Sequence, residues 1–365
     1  MVRNVAWFDF FGDGKPRDTG ELRRVVGDLS QLAGVTPIAY EEGSAHGVRA
    51  YQVRNGGGLR CSVVLDRGME IAEAEYAGIP FGWHTGVGPA NPAFYEPEGT
   101  GWLHTYAGGL MTLGGLSQMG EPCEEDGIPY GLHGRAATLV ARETSYRVDW
   151  DSGVIVILGT LCEVTPTKRF LELHRRVEIP IGGTLIDITD RVINRGFACA
   201  EHMILYHLNL GYPLLDQGSR FVAPVVDTMG WDEPSELNRA ASACTPGIVG
   251  EEYLFGHTVS TRDGWTTAAL VHPLLANGLY CAVRYRPDTL PHLWQWVSLR
   301  PGSFVMGIEP ANSDIRGRVA ARQAGNLPLL EPGEEVTYRV QIEFGSGKSA
   351  IDRLMSEVQA QGAGR

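Results

Sequence analysis

The stretch HMILYHLN, residues 202–209, decides how the fold of this chain is interpreted. Apolar and polar residues alternate through it, and successive side chains of a β-strand point to opposite faces. The alternation predicts one face with Met203, Leu205, His207 and Asn209 and an opposite face with His202, Ile204, Tyr206 and Leu208. His207 is therefore expected to share a face with Asn209 and not with His202.

A second stretch, GIEPAN at residues 307–312, follows about a hundred residues later. Phe304, Met306 and Ile308 form the apolar face of a predicted strand, and Glu309 lies on the other face. Gly307 leaves space beside Glu309, and the proline that follows holds Glu309 in an extended conformation near the strand end. A single carboxylate is thus placed where a histidine-bearing strand could meet it.

Short strand patterns separated by Gly, Pro, Asn and Asp fill most of the chain between these two stretches and before them. Few helical patterns interrupt them, so the sequence predicts an all-β protein, a large antiparallel β-sandwich with short terminal helices. The predicted strands are 62–65, 138–142, 154–159, 172–179, 184–193, 203–210, 268–271, 280–285, 304–308 and 336–344.

Helical spacing is confined to the two ends. Apolar residues from Leu22 to Leu32 recur at the spacing of one amphipathic helix over 20–33 that stops at Gly34. Ile351, Leu354, Met355 and Val358 predict a closing helix. We expect a helical N-terminal extension (1–35), one β-sandwich domain (36–345) and a C-terminal helix packed on that domain (346–365).

Composition excludes several classes of protein. Of 365 residues, 43% are hydrophobic and 20% charged, and no apolar run approaches the roughly 20 residues that span a bilayer. The net charge of −12 without a basic cluster disfavours nucleic acid, so we expect a small, largely neutral ligand. The first residues show no basic start followed by an apolar signal core, which favours a cytoplasmic protein.

Six cysteines, at 61, 123, 162, 199, 244 and 281, are scattered without Cys-x-x-Cys spacing. This distribution favours buried free thiols over a zinc site or a disulfide framework.

Residues 82–134 differ from the rest, because they are rich in glycine, proline and aromatic residues and have little regular periodicity. Trp83, Phe94, Tyr95, Trp102 and Tyr106 argue that this long segment is ordered, and we expect it to cover a binding site. Residues 109–120 lack the Gly-Lys-Ser/Thr ending of a phosphate loop and are interpreted as a flexible, site-forming loop.

Four motifs in this order resemble the aldose 1-epimerase (galactose mutarotase-like) superfamily. They are Asp66-Arg67-Gly68, Leu132-His133-Gly134, Tyr206-His207-Leu208-Asn209-Leu210 and Ile308-Glu309-Pro310. The resemblance covers about residues 36–345, and the DRGME and GIEPAN motifs are similar to a poorly characterised branch of that superfamily. It implies the supersandwich form of the β-sandwich.

The resemblance also implies roles for particular residues. Glu309 would be the base and His207 the acid of sugar ring opening, with tips about 4–7 Å apart around one ring oxygen and its anomeric hydroxyl. The implied substrate-binding residues are Arg67, His133, Asn209 and Trp296; of the two tryptophans that share a face, Trp296 is favoured over Trp294. The family usually has Asn where this chain has Asp66, and its sugar-binding aspartate has only two candidates, Asp227 and Asp232.

Three interpretations of the function follow. The first is an isomerase that interconverts the anomers of a monosaccharide or sugar-derived molecule without a cofactor. The second is an epimerase or ketol isomerase on a keto sugar or sugar acid, using the same acid–base pair. The third is a carbohydrate-binding protein without turnover. A metal site is disfavoured because His202 and His207 face opposite ways; a homodimer is left open.

Overall fold

The computed structural model describes residues 6–10, 15–230 and 252–363. Within these residues β-strands dominate. The strands are β1 Gly34–Ala39, β2 Arg49–Arg54, β3 Leu59–Val64, β4 Glu70–Tyr76, β5 Ile79–Pro80, β6 Trp83–His84, β7 Gly108–Gly109, β8 Met111–Leu116, β9 Cys123–Glu125, β10 Ile128–Tyr130, β11 Arg142–Asp149, β12 Val154–Thr165, β13 Arg169–Pro180, β14 Leu185–Asn194, β15 Ala200–Glu201, β16 Met203–Gly211, β17 Arg220–Val222, β18 Val225–Gly230, β19 Glu252–Val259, β20 Thr266–His272, β21 Leu279–Tyr285, β22 His292–Arg300, β23 Ser303–Ala311, β24 Leu329–Leu330 and β25 Glu335–Ser346.

Helices are few and short in the same part of the chain. The α-helices are α1 Thr19–Leu22, α2 Arg318–Gln323 and α3 Lys348–Gly362. Single 3₁₀ turns lie at Leu29–Gln31, Gly43–Ala45, Pro92–Phe94, Gly101–Thr105, Ala136–Thr138 and Leu275–Asn277. No helix among the described residues has both the length and the apolar character needed to cross a bilayer.

Two large antiparallel sheets pack face to face, which confirms the predicted β-sandwich. The first has eleven strands in the order β1-β2-β3-β4-β8-β16-β23-β22-β19-β18, with β5 paired to β4. The second has eight strands in the order β11-β12-β13-β14-β25-β21-β20-β17. Their facing side chains form one core, and each fully buried aliphatic or aromatic side chain stabilises the folded state by about 1.5–3 kcal/mol.

Strand β16 lies in the middle of the eleven-stranded sheet and shows the predicted alternation. Ile204, Tyr206 and Leu208 are fully buried in the core between the sheets. Met203 and Leu205 face the other way and belong to a separate apolar cluster. His207 thus points away from the core, onto the outer face of the sheet, where a ligand can reach it.

Several sequence predictions were wrong in detail. The continuous helix over 20–33 is replaced by α1 and a 3₁₀ turn, because Asp18 caps the first and Asp28 caps the second. Val25, counted in the predicted apolar face, is 71% exposed. The predicted strand 138–142 is mostly a 3₁₀ turn and the loop that follows it, and β11 begins only at Arg142.

The glycine-rich stretch 109–120 is also not a flexible loop. Its middle forms β8, whose six residues are all buried between β4 and β16. A Cβ at Gly114 would lie 3.0 Å from the Leu205 Cβ, so the absence of a side chain permits close strand packing. The glycines that make this strand difficult to recognise in the sequence are therefore the residues that allow it to fit between its neighbours.

The cysteines are only partly as expected. Among the five in the described residues all are free thiols, but only Cys61 and Cys281 are buried, and Cys199 is exposed. Cys244 lies outside the described residues.

Candidate active site

A cavity of about 420 Å³ opens on the outer face of the eleven-stranded sheet. Strands β16, β22 and β23 supply His207, Trp296 and Glu309 to it. Residues 82–134 supply Trp102, Tyr106 and His133, so the segment expected to cover a site does line this one. The rim includes two further carboxylates, Glu121 and Glu252.

His207 and Glu309 meet at the bottom of the cavity. The His207 Nε2 atom lies 3.3 Å from Glu309 Oε1, closer than the predicted 4–7 Å, and the residues are 6% and 1% exposed. Within the described residues, Glu309 Oε1 and His207 Nδ1 have no hydrogen-bond partner. An unsatisfied buried polar atom costs about 1–3 kcal/mol, so two of them side by side mark a place maintained for chemistry rather than stability.

Gly307 makes room for the Glu309 carboxylate, as its position in the sequence predicted. A Cβ at residue 307 would lie 2.3 Å from Glu309 Oε1 and 3.1 Å from the Trp296 Cβ. Any side chain at this position would therefore displace the carboxylate.

Burial sets the protonation of the pair. It raises the pKa of Glu309 to about 8. Burial, followed by the neighbouring His133, lowers the pKa of His207 to about 3. At neutral pH the pair therefore holds one proton, which resides on Glu309, while His207 is a neutral imidazole.

His133 is held as a neutral donor on the opposite wall. Its backbone has a φ of +54°, next to Gly134 at +69°, where a Cβ would lie 2.2 Å from the Gln118 carbonyl oxygen. The Gly120 N–H donates to His133 Nδ1 at 3.3 Å, which leaves the ring hydrogen on Nε2. Burial lowers the pKa of His133 to about 4, so this tautomer is uncharged at neutral pH.

Aromatic rings form much of the remaining wall, beside Leu103, Leu132, Leu254 and Ile315. Trp102 stacks on Tyr106 with ring centroids 4.3 Å apart and meets the edge of His133 at 4.8 Å. Tyr106 and Trp296 lie 5.9 Å and 5.7 Å from the His207 ring. In the sequence, Trp102 and Tyr106 indicate only that their segment is ordered. Their aromatic density within an irregular segment is the signal that could have assigned them to the site.

Trp296 is at the cavity, as favoured, whereas Trp294 belongs to an apolar cluster beside it. The Trp296 Nε1–H donates to Glu252 Oε1 at 2.6 Å, which fixes the indole against the rim.

Two predicted substrate-binding residues do not reach the cavity wall. Arg67 is 1% exposed, and its guanidinium donates to Glu70, to the Ala90 carbonyl and to the Thr105 carbonyl. Asn209 is fully buried, and its amide bonds the Tyr106 hydroxyl and the His207 carbonyl. Sequence spacing gave the correct face for Asn209 but could not show that its partner lies within the protein.

The other polar candidates lie elsewhere. Asp66 pairs with Arg49 at 2.6 Å, and Asp227 is exposed on β18 and does not line the cavity. Asp232 lies outside the described residues. His202 is buried away from His207, with Nδ1 3.0 Å from the Leu116 carbonyl oxygen. In the described ranges no three His, Cys, Asp or Glu side chains are grouped as metal ligands would be.

A larger cavity of about 600 Å³ lies over β1–β4 on the same outer face. Four of its polar side chains pair with one another, in the Ser62–Glu73 hydrogen bond and the Arg60–Glu75 ion pair. Of these two cavities, the smaller one brings a buried histidine and a buried carboxylate with unsatisfied atoms into contact, so we assign the candidate active site there.

Solved structures share this architecture. A "putative aldose 1-epimerase" from Klebsiella pneumoniae is 22% identical, with a TM-score of 0.86 over 92% of this chain and 91% of that one. A galactose mutarotase-like protein from Clostridium acetobutylicum is 11% identical, with a TM-score of 0.62 over 87% and 99%. Galactose 1-epimerase from Lactobacillus acidophilus is 12% identical, with a TM-score of 0.58 over 86% and 99%. At these identities the likeness establishes the galactose mutarotase-like fold.

Sequence comparison adds a family. No curated protein matches the chain. The family model described as "Domain of unknown function (DUF4432)" matches residues 45–344. Because that match spans most of the sequence, the chain belongs to the DUF4432 family, and its fold is a galactose mutarotase-like β-sandwich.

Proposed function

We propose that this protein is a carbohydrate-active isomerase that interconverts sugar anomers by acid–base ring opening. The observation that carries the proposal is the buried contact between His207 Nε2 and Glu309 Oε1 at 3.3 Å inside a cavity, where Glu309 Oε1 and His207 Nδ1 lack hydrogen-bond partners in the described residues. The two oxygens of a hemiacetal are bonded to the same carbon, so an acid and a base this close together can reach both. The cavity volume of about 420 Å³ is in the range typical of small-molecule sites.

In the proposed reaction the Glu309 carboxylate takes the proton from the anomeric hydroxyl while the His207 imidazolium gives one to the ring oxygen. The bond between the anomeric carbon and the ring oxygen breaks, and the anomeric oxygen becomes the oxygen of an aldehyde. Rotation about the next carbon–carbon bond exposes the other aldehyde face. The reverse proton transfers then close the ring as the opposite anomer.

This assignment needs the proton of the pair to move before ring opening. In the empty cavity burial places it on Glu309, whose pKa is raised to about 8. Sugar hydroxyls that donate to the Glu309 carboxylate would favour its charged form, and the proton then passes to His207 across their contact. Ring opening returns the pair to the state in which Glu309 is protonated and His207 is neutral, because Glu309 gains a proton and His207 loses one.

The walls favour an uncharged sugar. The faces of Trp102, Tyr106 and Trp296 offer stacking surfaces for sugar C–H groups, and the His133 Nε2–H is a fixed donor for a hydroxyl. Apart from Glu309, which holds the proton of the pair, the acidic side chains that line the cavity among the described residues are Glu121 and Glu252. They would repel a sugar acid or a sugar phosphate.

The proposal is tested by following anomer exchange with NMR for a panel of aldoses, starting each from one pure anomer. We expect catalysed exchange for at least one neutral monosaccharide, slowed by about 10²–10⁴-fold in Glu309→Gln. A sugar that binds the wild-type protein but exchanges no faster than in buffer would favour the non-catalytic carbohydrate-binding alternative.

A second candidate, an epimerase or ketol isomerase on a keto sugar or sugar acid, is favoured by one observation. The raised pKa of Glu309 makes its carboxylate a stronger base than an ordinary one, as removal of a proton from carbon requires. Reaction in deuterated water separates the two. Anomer exchange without deuterium at carbon supports the anomer isomerase, and deuterium at a carbon next to the carbonyl supports the alternative.

A further inference from the structure

Asn209 connects the aromatic wall to the strand that bears His207. Its Oδ1 accepts a hydrogen bond of 2.5 Å from the Tyr106 hydroxyl. Its Nδ2 donates to the backbone carbonyl of His207 at 3.2 Å. The amide is fully buried, so a change at residue 209 reaches the cavity through these two neighbours.

Arg67 holds the same wall from the other side. Its Nη2 donates to the carbonyl of Thr105, the residue before Tyr106, and its Nη1 donates to the carbonyl of Ala90, both at 2.8 Å. Glu70 pairs with Arg67 at 3.1 Å, and both side chains are buried. The guanidinium thereby ties together two distant points of the irregular segment that carries the wall.

Tyr106 is the residue on which these supports converge. Its ring stacks on Trp102 at 4.3 Å and lies 5.9 Å from the His207 ring, with 58° between the ring planes. The ring lines the cavity, whereas the hydroxyl points away from it to Asn209. The hydroxyl is therefore an anchor rather than a sugar contact.

Building on the proposed function, we propose that Tyr106 is a positioning residue that fixes the aromatic wall against His207, and that Asn209 and Arg67 act through Tyr106 without touching the sugar. Asn209 and Arg67, which the sequence predicts to bind the sugar, thus have a different role, the support of Tyr106. The distinction matters because loss of a sugar contact weakens binding, whereas loss of positioning slows the proton transfers.

The kinetic test compares Tyr106→Phe, Asn209→Ala and the double variant in the anomer-exchange assay. Each single change should lower kcat by about 10- to 100-fold with KM within about twofold, because the ring stays and only its anchor is lost. The double variant should be no slower than the worse single one, since both changes break the same hydrogen bond. Unchanged kcat in Tyr106→Phe, or additive losses with a raised KM in Asn209→Ala, would overturn the proposal.

Two matched controls separate positioning from general destabilisation. Tyr285→Phe removes a buried core hydroxyl that has no hydrogen-bond partner in the described residues, and it should leave kcat unchanged. Asn55→Ala removes four hydrogen bonds to Gly57, Leu59, Pro180 and Gly183, outside the cavity. It should lower the thermal midpoint and leave kcat unchanged.

Arg67→Lys keeps a positive charge beside Glu70, but its single ammonium group cannot hold two separate carbonyls in the fixed geometry of a guanidinium. We expect a lower kcat with KM within about twofold. A KM raised tenfold with kcat retained would instead assign Arg67 to sugar binding.

A ligand-free measurement keeps the inference separate from the proposed function. The His207 imidazole, which faces Glu309 from β23 and His133 and Tyr106 from residues 82–134, can be titrated by ¹⁵N NMR without sugar. Loosening of the wall admits water, so the pKa of His207 should rise towards the ordinary 6.5 in Tyr106→Phe, which keeps the Asn209 side chain, but not in Tyr285→Phe. If the wild-type protein exchanges no anomers, the proposed function fails while this result still decides the inference. An unshifted His207 pKa in Tyr106→Phe overturns positioning even in an active enzyme.

Discussion

Gly307→Ala should displace the Glu309 carboxylate while leaving every titratable group in the chain. The new Cβ would lie 2.3 Å from Glu309 Oε1, and ordinary contacts begin at 3.4 Å, so the carboxylate has to move by the difference of 1.1 Å. Trp296 blocks relief on the other side, because its Cβ would be 3.1 Å from the added methyl group. The perturbation is therefore a small displacement of the carboxylate within an otherwise complete site.

A displacement of 1 Å costs about 10²-fold in rate, which corresponds to about 2.7 kcal/mol in the activation free energy. Overpacking should also lower the free energy of unfolding by about 1–3 kcal/mol. We would measure kcat by NMR anomer exchange and the thermal midpoint by circular dichroism. Gly27→Ala is the control, because a Cβ there meets nothing within 4 Å, and it should change neither quantity.

Glu309→Asp provides a test of the geometry. The aspartate is one methylene shorter, so its carboxylate withdraws from residue 307 and no longer meets the added methyl group. Gly307→Ala should therefore lower kcat only slightly when it is made in the Glu309→Asp protein, although the Glu309→Asp protein itself has a lower kcat than wild type. A folded Gly307→Ala protein with kcat within twofold of wild type would refute the reasoning, since catalysis would not depend on the carboxylate position described here.

Three further predictions concern the acid–base pair. Glu309→Gln and His207→Asn should each lower kcat by about 10²–10⁴-fold while sugar binding survives. The double variant should be little slower than the slower single variant, because both groups act in one step. Fully additive losses of kcat in the anomer-exchange assay would contradict this. Values of kcat/KM should fall as the pH rises through about 8, where the pair loses its single proton, and a rise over that range would contradict the one-proton state. The pKa of Glu309 in the folded protein is raised above its ordinary 4.5, so its contribution to stability is complete below pH 4.5 and is lost as the pH rises through about 8. Thermal midpoints of wild type and Glu309→Gln, measured between these two pH values, check that the wild type loses stability relative to the variant as the pH rises.

The parts of the site that depend on strand alternation could be predicted from the sequence. A period of two places His207 on the outer face and Tyr206 in the core, and the same rule puts Gly307 beside Glu309. These relations are local, since they join residues one or two positions apart on a single strand. The pairing of β16 with β23 then brings the two local patterns together.

The parts that failed depend on contacts between distant segments. Arg67 has the fork of donors suited to sugar hydroxyls, but its partners are carbonyls 23 and 38 residues further along the chain. Strand β8 was hidden because Gly114 and Gly115 lack the β-branched or aromatic side chains by which strands are identified, and its place between two strands is set by tertiary packing. No rule of spacing along the sequence contains this information.

Strand β25, residues Glu335–Ser346, lies in the middle of the eight-stranded sheet, between β14 and β21. While the ribosome synthesises the chain, β14 therefore waits for well over a hundred residues before its second partner strand is available. Until then β14 and β21 each present an open hydrogen-bonding edge, which is the kind of surface that joins strands of other chains. Nascent chains stopped before residue 335 should accordingly depend on chaperones and aggregate without them, and folding should be completed only after the final strand leaves the exit tunnel.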